Sequence, residues 1–401
     1  MKRIFVTALA AGLLFSANAQ TDGDKDNPKQ AQERAEKAKQ KAADDLKNDT
    51  TFSLQKSLAA TDVKNQGMTG TCWCFSTTSL LESQCIKNGG PELDISEMYS
   101  VRYTYIDKAK NYLLRQGHAQ FGEGGLGHDL INSIARHGAV PEAVYSGLKP
   151  GQTQHNHQVL VSGLKKYLDS VLKNGTVSGN WQEGYIKILD SALGTPPEKF
   201  RYNGKEYTPE TFAAEVLRFN AADYVYFTSF THHPYYESFI IEVPDNFSNG
   251  TYYNLPLEEM LQVTKDAVNG GYTVLWDADV SNDGFQQKMG AAVNFNNLAP
   301  GAKRKGDLIS GEAKDGKWDA ETRQKLFENL TTQDDHLMHI VGLVKSKNGS
   351  SFFRVKNSWG DVGPYHGFIN VSDGYFAINT ISLIIPKAAV NKKLLEKMKL
   401  K

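Results

Sequence analysis

The segment from Gln66 to Ser76 constrains this chain more than any other. It places a glutamine six residues before Cys72, which stands at the start of a predicted helix. A thiol at a helix N-terminus faces the positive end of the helix dipole, which lowers the thiol pKa and favours the reactive thiolate. The Gln66 amide can reach back and donate a hydrogen bond to an oxyanion beside that sulfur. The segment therefore predicts a thiol nucleophile whose oxyanion donors are Gln66 and the Cys72 backbone N–H.

Two partners for such a thiol lie near the C-terminal end of the sequence. His339 lies in an apolar run typical of a β-strand, and Asn357 ends a second run, with Trp359 two residues later. Cysteine, histidine and asparagine in that order form a set used for nucleophilic catalysis. We therefore predict Cys72 as the nucleophile and His339 as its base. Asn357 would orient the base, and Trp359 would shield their hydrogen bond from water.

A second histidine, His336, lies three residues before His339 and is the alternative base. On a strand the two side chains would point to opposite faces, because successive side chains alternate. The acidic residues Asp334 and Asp335 just before His336 indicate a loop. We therefore expect His339, and not His336, to act as the base.

The nucleophile segment and the stretch from Asn357 to Trp359 resemble those of papain-like cysteine peptidases. The separation of Cys72 and His339 far exceeds the roughly 130–150 residues of compact members. This long spacing resembles the bleomycin hydrolase and bacterial aminopeptidase C family, which carries insertions there. Two further stretches resemble segments of that family, residues 254–260 and 276–281.

The resemblance covers about residues 51–386 and implies a papain-like α+β fold. A helical half and an antiparallel β half would face each other across the site, with a family insertion at about 150–250. Gly124 and Gly125 fall where papain-like enzymes pair their backbone with the substrate as an added strand. These two glycines and Trp359 are therefore the implied substrate-binding residues.

The same family implies a homo-hexamer and aminopeptidase action, because its members form hexameric barrels with the chain's own C-terminus in the cleft. This chain departs from that pattern at residues 387–401, a lengthened and lysine-rich tail. Leu394, Leu395 and Met398 have helical spacing, which allows an amphipathic helix. We expect a solvated tail, with a packed amphipathic helix as the alternative.

The N-terminal residues predict export. Residues 1–19 have a short basic start, an apolar run and an Ala17-Asn18-Ala19 end, which together are typical of a secretory signal peptide. The apolar run is too short for a comfortable membrane span. Residues 20–50 are charged and predict a mobile leader before a peptidase domain at 51–386. We expect an exported protein with no membrane attachment after signal removal, most simply in a bacterial periplasm.

The composition and the remaining patterns argue against other kinds of partner. Lysine plus arginine and aspartate plus glutamate both number 45, and this balance gives no support for nucleic acid as a partner. The glycine pattern of residues 122–127 lacks the preceding strand that a dinucleotide site needs. Neither the cysteines nor His232 and His233 have the spacing of a structural zinc site. We expect no cofactor and no metal, and no disulfide among the three cysteines between Cys72 and Cys85.

The sequence as a whole predicts an exported cysteine-type aminopeptidase that removes N-terminal residues from peptides through an acyl-enzyme. Two alternatives stay open. One is an endopeptidase of the same fold with an open cleft. The other is a catalytically silent peptide-binding protein.

Overall fold

The computed structural model describes residues 49–173, 175–295 and 311–400. The predicted signal peptide and nearly all of the predicted leader lie outside these residues. Within the three described ranges, no helix combines the length and the apolar content needed to cross a membrane.

Helices dominate the first half of the described chain. The second of them has a side-chain cap, because the Ser96 hydroxyl accepts a hydrogen bond from the Tyr99 N–H. The helices are α1 (Cys72–Lys87), α2 (Glu97–Leu114), α3 (Gly127–His137), α4 (Gln158–Leu172), α5 (Trp181–Leu193), α6 (Pro209–Glu215), α7 (Leu257–Asn269), α8 (Ala320–Glu328), α9 (Asp373–Asn379) and α10 (Lys392–Lys397).

Strands dominate the second half. Asn348 and Gly349 lie in the tight turn between strands His336–Ser346 and Ser351–Lys356. Gly349 has the positive φ of 83° that such a turn requires. The strands are β1 (Phe52–Ser57), β2 (Phe200–Tyr202), β3 (Lys205–Tyr207), β4 (Tyr224–Thr228), β5 (Ser238–Ile240), β6 (Thr251–Asn254), β7 (Val274–Ala278), β8 (Phe285–Gln286), β9 (Ala291–Ala292), β10 (His336–Ser346), β11 (Ser351–Lys356), β12 (Phe368–Ser372) and β13 (Thr380–Pro386).

All but two of these strands form one large sheet. Its order is β5-β6-β4-β13-β7-β10-β11-β12-β9-β8, and β1 pairs with the far half of β10. Most neighbours are antiparallel, but β4 with β6 and β9 with β12 are parallel. β2 and β3 form a separate hairpin. β10 therefore lies centrally, between β7 and β11.

Helix α1 connects the helical half to the sheet. Nearly all of its residues are buried, as expected of a helix with neighbours on every side. The Ser76 hydroxyl donates to the Leu337 carbonyl of β10 at 2.5 Å. Leu337 shares a hydrophobic cluster with α1. The N-terminus of α1 is thereby fixed against the start of β10.

The predicted α+β class and the division into a helical and a β half are confirmed. Residues 375–378 have the β-rich composition of a strand but lie in α9. The Ser372 hydroxyl accepts a hydrogen bond from the Tyr375 N–H at 3.1 Å and caps that helix. This local cap overrides the β-rich composition of the segment.

The C-terminal tail forms the packed helix that the sequence offered as the alternative to a solvated tail. Leu394 and Met398 are 2% and 4% exposed and join the hydrophobic cluster that contains residues of the sheet and of α7. Lys397 lies 3.5 Å from the Glu259 carboxylate on α7 and over the Tyr236 ring. The expectation of a solvated tail is therefore wrong for α10.

Candidate active site

Cys72 is the first residue of α1, as the sequence predicts. Its side chain is 7% exposed and lies in the same cluster as Leu337 of β10. The Leu337 backbone N–H hydrogen bonds to the Cys72 sulfur. Because Leu337 directly follows His336, this contact brings the thiol to the N-terminal end of β10. All three cysteines are free thiols.

The sequence predicts a lowered pKa for the Cys72 thiol, but in this closed site its pKa is raised. Burial, together with the negative charges of Asp334, Asp277 and Asp245, raises the pKa of Cys72 to about 12. The Leu337 N–H acts in the opposite direction but is outweighed. A thiolate at neutral pH therefore requires a protonated partner beside the sulfur, because the helix terminus alone does not overcome desolvation.

Asn357 orients a histidine, but that histidine is His336. His336 Nε2 lies 2.7 Å from Asn357 Oδ1. The Trp359 ring lies over His336, with centroids 4.6 Å apart and planes 32° apart. The predicted arrangement of asparagine, histidine and shielding tryptophan is thus present around His336.

The hydrogen bonds of Asn357 also fix the tautomer of His336. Asn357 Oδ1 accepts the Ser358 N–H at 2.7 Å, and Asn357 Nδ2 donates to Gln287 Oε1 at 3.1 Å. Oδ1 is therefore an acceptor, so His336 Nε2 carries the proton. The Nδ1 atom of neutral His336 is left as the basic nitrogen.

His339 lacks the partner that the sequence assigned to it. Its Nδ1 lies 2.8 Å from the Ser79 hydroxyl, which also accepts a hydrogen bond from Lys356 at 2.8 Å. Burial holds the pKa of His339 well below its usual range, and the Lys356 ammonium lowers it further. The prediction that Asn357 orients His339 is wrong, because Asn357 bonds to His336. Neutral His339 belongs instead to a buried network with Ser79 and Lys356.

The Gln66 amide is fixed at both ends. Gln66 Oε1 accepts the Ser358 hydroxyl at 2.6 Å, and Gln66 Nε2 donates to the Thr69 carbonyl at 2.7 Å. Its backbone N–H also bonds to the Ser358 carbonyl at 2.9 Å. The second Nε2 proton remains for a ligand, since a side-chain amide has two.

Gly124 and Gly125 lie beside the nucleophile helix, in close contact with other groups. A Cβ on Gly125 would crowd the Trp73 ring, and one on Gly124 would collide with the Asp245 carboxylate. The Gly124 carbonyl accepts a hydrogen bond from buried Lys108. A side chain at either position would displace its neighbours, and the outer side of Gly124 is covered by the loop that carries Asp245.

Comparisons with known proteins identify the family of this chain. The peptidase C1-like family model matches residues 13–401. The chain belongs to this family. It is 23% identical over 384 residues to Aminopeptidase G of Lactobacillus delbrueckii subsp. lactis, with 84% of this chain and 83% of that protein covered. It is 23% identical over 389 residues to Bleomycin hydrolase of Gallus gallus, with 84% and 82% covered.

A solved structure supports the fold of this peptidase C1-like chain. The crystal structure of PepW from Lactobacillus rhamnosis HN001 matches with a TM-score of 0.66 and 20% identity, covering 92% of this chain and 91% of that one. The family resemblance and the papain-like fold expected from the sequence are thereby confirmed.

Three residues of the peptidase C1-like site escaped the sequence analysis. Ser358 holds the Gln66 amide, and its position between Asn357 and Trp359 could have suggested that role. Gln287 holds Asn357 but belongs to no pattern in the sequence. Glu123 accepts the Gly70 N–H at 2.6 Å, beside the start of α1.

One group in the described part of the chain has the composition of a metal site: His232, His233 and Glu242. Gln324 Oε1 accepts the Thr231 N–H, which directs Gln324 Nε2 to His232 Nδ1 at 2.8 Å. Neutral His232 must then carry its proton on Nε2, which faces Glu242. This proton blocks the nitrogen that would bind the metal, so the group is better explained as a hydrogen-bonded pair of histidines on one carboxylate.

Proposed function

We propose that this peptidase C1-like protein is a cysteine aminopeptidase with Cys72 as nucleophile and His336 as base. The observation that carries the proposal is the 2.7 Å hydrogen bond between His336 and Asn357 beneath Trp359. It belongs to the same strand end whose Leu337 N–H contacts the Cys72 sulfur. Relatives named Aminopeptidase G and Bleomycin hydrolase support the choice of reaction.

The first half of the reaction forms an acyl-enzyme. His336 Nδ1 takes the Cys72 proton, and the sulfur attacks the scissile carbonyl carbon as the C=O electrons move to oxygen. The Gln66 amide and the Cys72 N–H, at the helix terminus, donate to that oxyanion. Collapse breaks the C–N bond, and protonated His336 gives its proton to the leaving amine.

The second half of the reaction regenerates the free enzyme. Neutral His336 takes a proton from water as the water oxygen attacks the thioester carbonyl carbon. The C–S bond then breaks, the acid product leaves, and the proton stays with the Cys72–His336 pair. Asn357 keeps the imidazole in one orientation throughout, because its Oδ1 holds His336 Nε2. Trp359 excludes water from that bond.

The test is hydrolysis of aminoacyl amides against matched N-acetylated peptides, with reductant present, by wild type and Cys72→Ala. The proposal predicts turnover of the free-amine substrates only, with loss of that turnover in the variant. Equal cleavage of blocked peptides would instead establish an endopeptidase. No turnover, with Cys72 unlabelled by a thiol-directed affinity reagent, would establish a silent peptide-binding protein.

We also propose that the protein is exported and acts on peptides outside the cytoplasm. The basic start, the apolar run and the small-residue end of residues 1–19 support this proposal. A mature protein that begins at Gln20 in the periplasmic fraction is the expected outcome, and a full-length cytoplasmic product would contradict it. The homo-hexamer stays a prediction, checked by the mass of the purified protein in light scattering.

A further inference from the structure

Three carboxyl groups that take no part in the reaction described above act on the Cys72 thiol through their negative charge. Asp277 on β7 pairs in register with Leu337, whose N–H contacts the Cys72 sulfur. Asp334 lies two residues before His336. Asp245 comes from a distant loop and lies against Gly124.

Two of these carboxyls each have one oxygen without a donor among the described residues. Asp277 is 1% exposed, and its Oδ2 accepts the Ser382 hydroxyl at 3.0 Å. Asp277 Oδ1 and Asp334 Oδ2 are buried and meet no N–H or hydroxyl donor among the described residues. The two carboxyls face each other, so the pair must share a proton or accept a cation.

The nearby cation does not neutralise this cluster by contact. Buried Lys108 donates to the carbonyls of Gly122 and Gly124. No ion pair joins it to a carboxylate in the parts of the chain that the structure describes. Asp245 Oδ1 accepts a hydrogen bond from the neutral Gln120 amide at 2.7 Å. The cluster thus retains excess negative charge next to the reactive sulfur.

The loop that supplies Asp245 is held against the glycine segment at more than one point. The Ser248 hydroxyl donates to Asp129 Oδ1 at 2.6 Å, and the Phe247 ring lies 5.2 Å from Lys108 Nζ. This loop covers the outer side of Gly124, where an extended substrate would pair as an added strand. A substrate with residues before the cleaved one would collide with the loop.

We propose that Asp245 and the Asp277–Asp334 pair bind the α-ammonium group of the substrate's N-terminal residue. The inference rests on the proposed peptidase function and adds the group that restricts it to free N-termini. An ammonium carries one positive charge and three N–H donors, which suit several converging carboxylate oxygens. These are side chains beside Cys72, so such recognition does not depend on the chain's own C-terminus.

The test compares kcat/KM for an aminoacyl amide and its N-acetylated counterpart in Asp245→Asn and Asp334→Asn. Both changes keep the side-chain shape and remove the charge. We expect the preference for the free amine to fall on the order of a hundredfold, the usual scale for losing one partner of a buried charge pair. The ratio is the readout because both substrates use the same thiol, so any change in Cys72 reactivity cancels.

Glu242→Gln is the matched control. Glu242 lies in the same loop but contacts His233 at 2.7 Å and is half exposed. It should leave the ratio unchanged. A wild-type preference that survives in both aspartate variants would overturn this inference alone. Absence of turnover in wild type would overturn the proposed function, and this inference with it.

Discussion

His336 and His339 lie three residues apart on β10, yet their surroundings differ in both hydrogen bonding and charge. His336 meets the Asn357 carbonyl and the negative charge of Asp335, and both favour its protonated form. His339 meets the Ser79 hydroxyl and the buried Lys356 ammonium, which disfavours protonation. Burial lowers the pKa of both. Only His336 has neighbours that can hold an imidazolium beside a thiolate.

The comparison shows that strand position alone does not identify a catalytic base. His339 has apolar neighbours in the sequence because it lies within strand β10. Its side chain contacts Ser79 of α1. His336 starts the same strand, where the chain emerges from an acidic loop and meets Asn357 and Trp359. The loop signal that argued against His336 in the sequence is what places it at the cleft.

The largest expected effect separates the two histidines by activity. His336→Ala should lower kcat/KM for an aminoacyl amide by about a thousandfold, because it removes the general acid and base. His339→Ala should retain most of the wild-type activity once folded. Steady-state hydrolysis, with circular dichroism as the control for folding, measures both. Equal losses of kcat/KM in the two variants would contradict the different roles assigned to His336 and His339.

A second prediction concerns the oxyanion donor on the His336 side. Gln66→Ala should lower kcat on the order of a hundredfold, as loss of one oxyanion donor does. KM should change much less, because the donor acts mainly on the transition state. A change confined to KM would mean that Gln66 binds the ground state instead.

A third, smaller effect is expected at Ser358. Ser358→Ala frees Gln66 Oε1 and allows the amide to rotate, so kcat should fall about tenfold, equivalent to about 1.4 kcal/mol. Gln66→Ala combined with Ser358→Ala should cost no more than Gln66→Ala alone, since the serine acts through the glutamine. Fully additive losses would show that Ser358 acts by another route.

The smallest effect concerns stability and lies on the His339 side. The pKa of His339 is depressed in the folded protein, so the native state binds fewer protons than the unfolded state as pH falls below the ordinary value of 6.5. Stability is therefore present above that pH and is lost below it. His339→Gln should weaken this loss by about 1 kcal/mol in urea unfolding at pH 5.5 relative to pH 7.5. An identical pH dependence in both proteins would contradict the buried neutral state.

Much of the fold and of the site could be predicted from the sequence. The features that could not be predicted have physical causes. Cys72, Gln66 and Asn357 are identifiable because local order fixes them: a helix start, a fixed six-residue spacing and a strand end. The pairing of Asn357 with one of two histidines depends on the register of β10 with β11, in which His339 lies opposite Lys356. Register and burial are tertiary properties, and they also decide the pKa of Cys72.

Other residues lie beyond any reading of local pattern. Gln287 reaches Asn357 from a separate segment, and Asp245 reaches Gly124 from within the predicted insertion. The apolar residues of the C-terminal tail have helical spacing in the sequence. The packing of the tail against α7, however, depends on an apolar surface formed by other segments. These contacts join segments far apart in the chain, so no spacing rule finds them.

The most direct test is the pH dependence of Cys72 alkylation by iodoacetamide in wild type, His336→Ala and His339→Ala, with the modified cysteine located by mass spectrometry. A lone thiol with a pKa of about 12 reacts slowly at neutral pH. We predict neutral-pH alkylation in wild type and His339→Ala, and only the alkaline reaction in His336→Ala. Loss of the neutral reaction in His339→Ala, with its retention in His336→Ala, would contradict the assignment of His336 as the partner of Cys72.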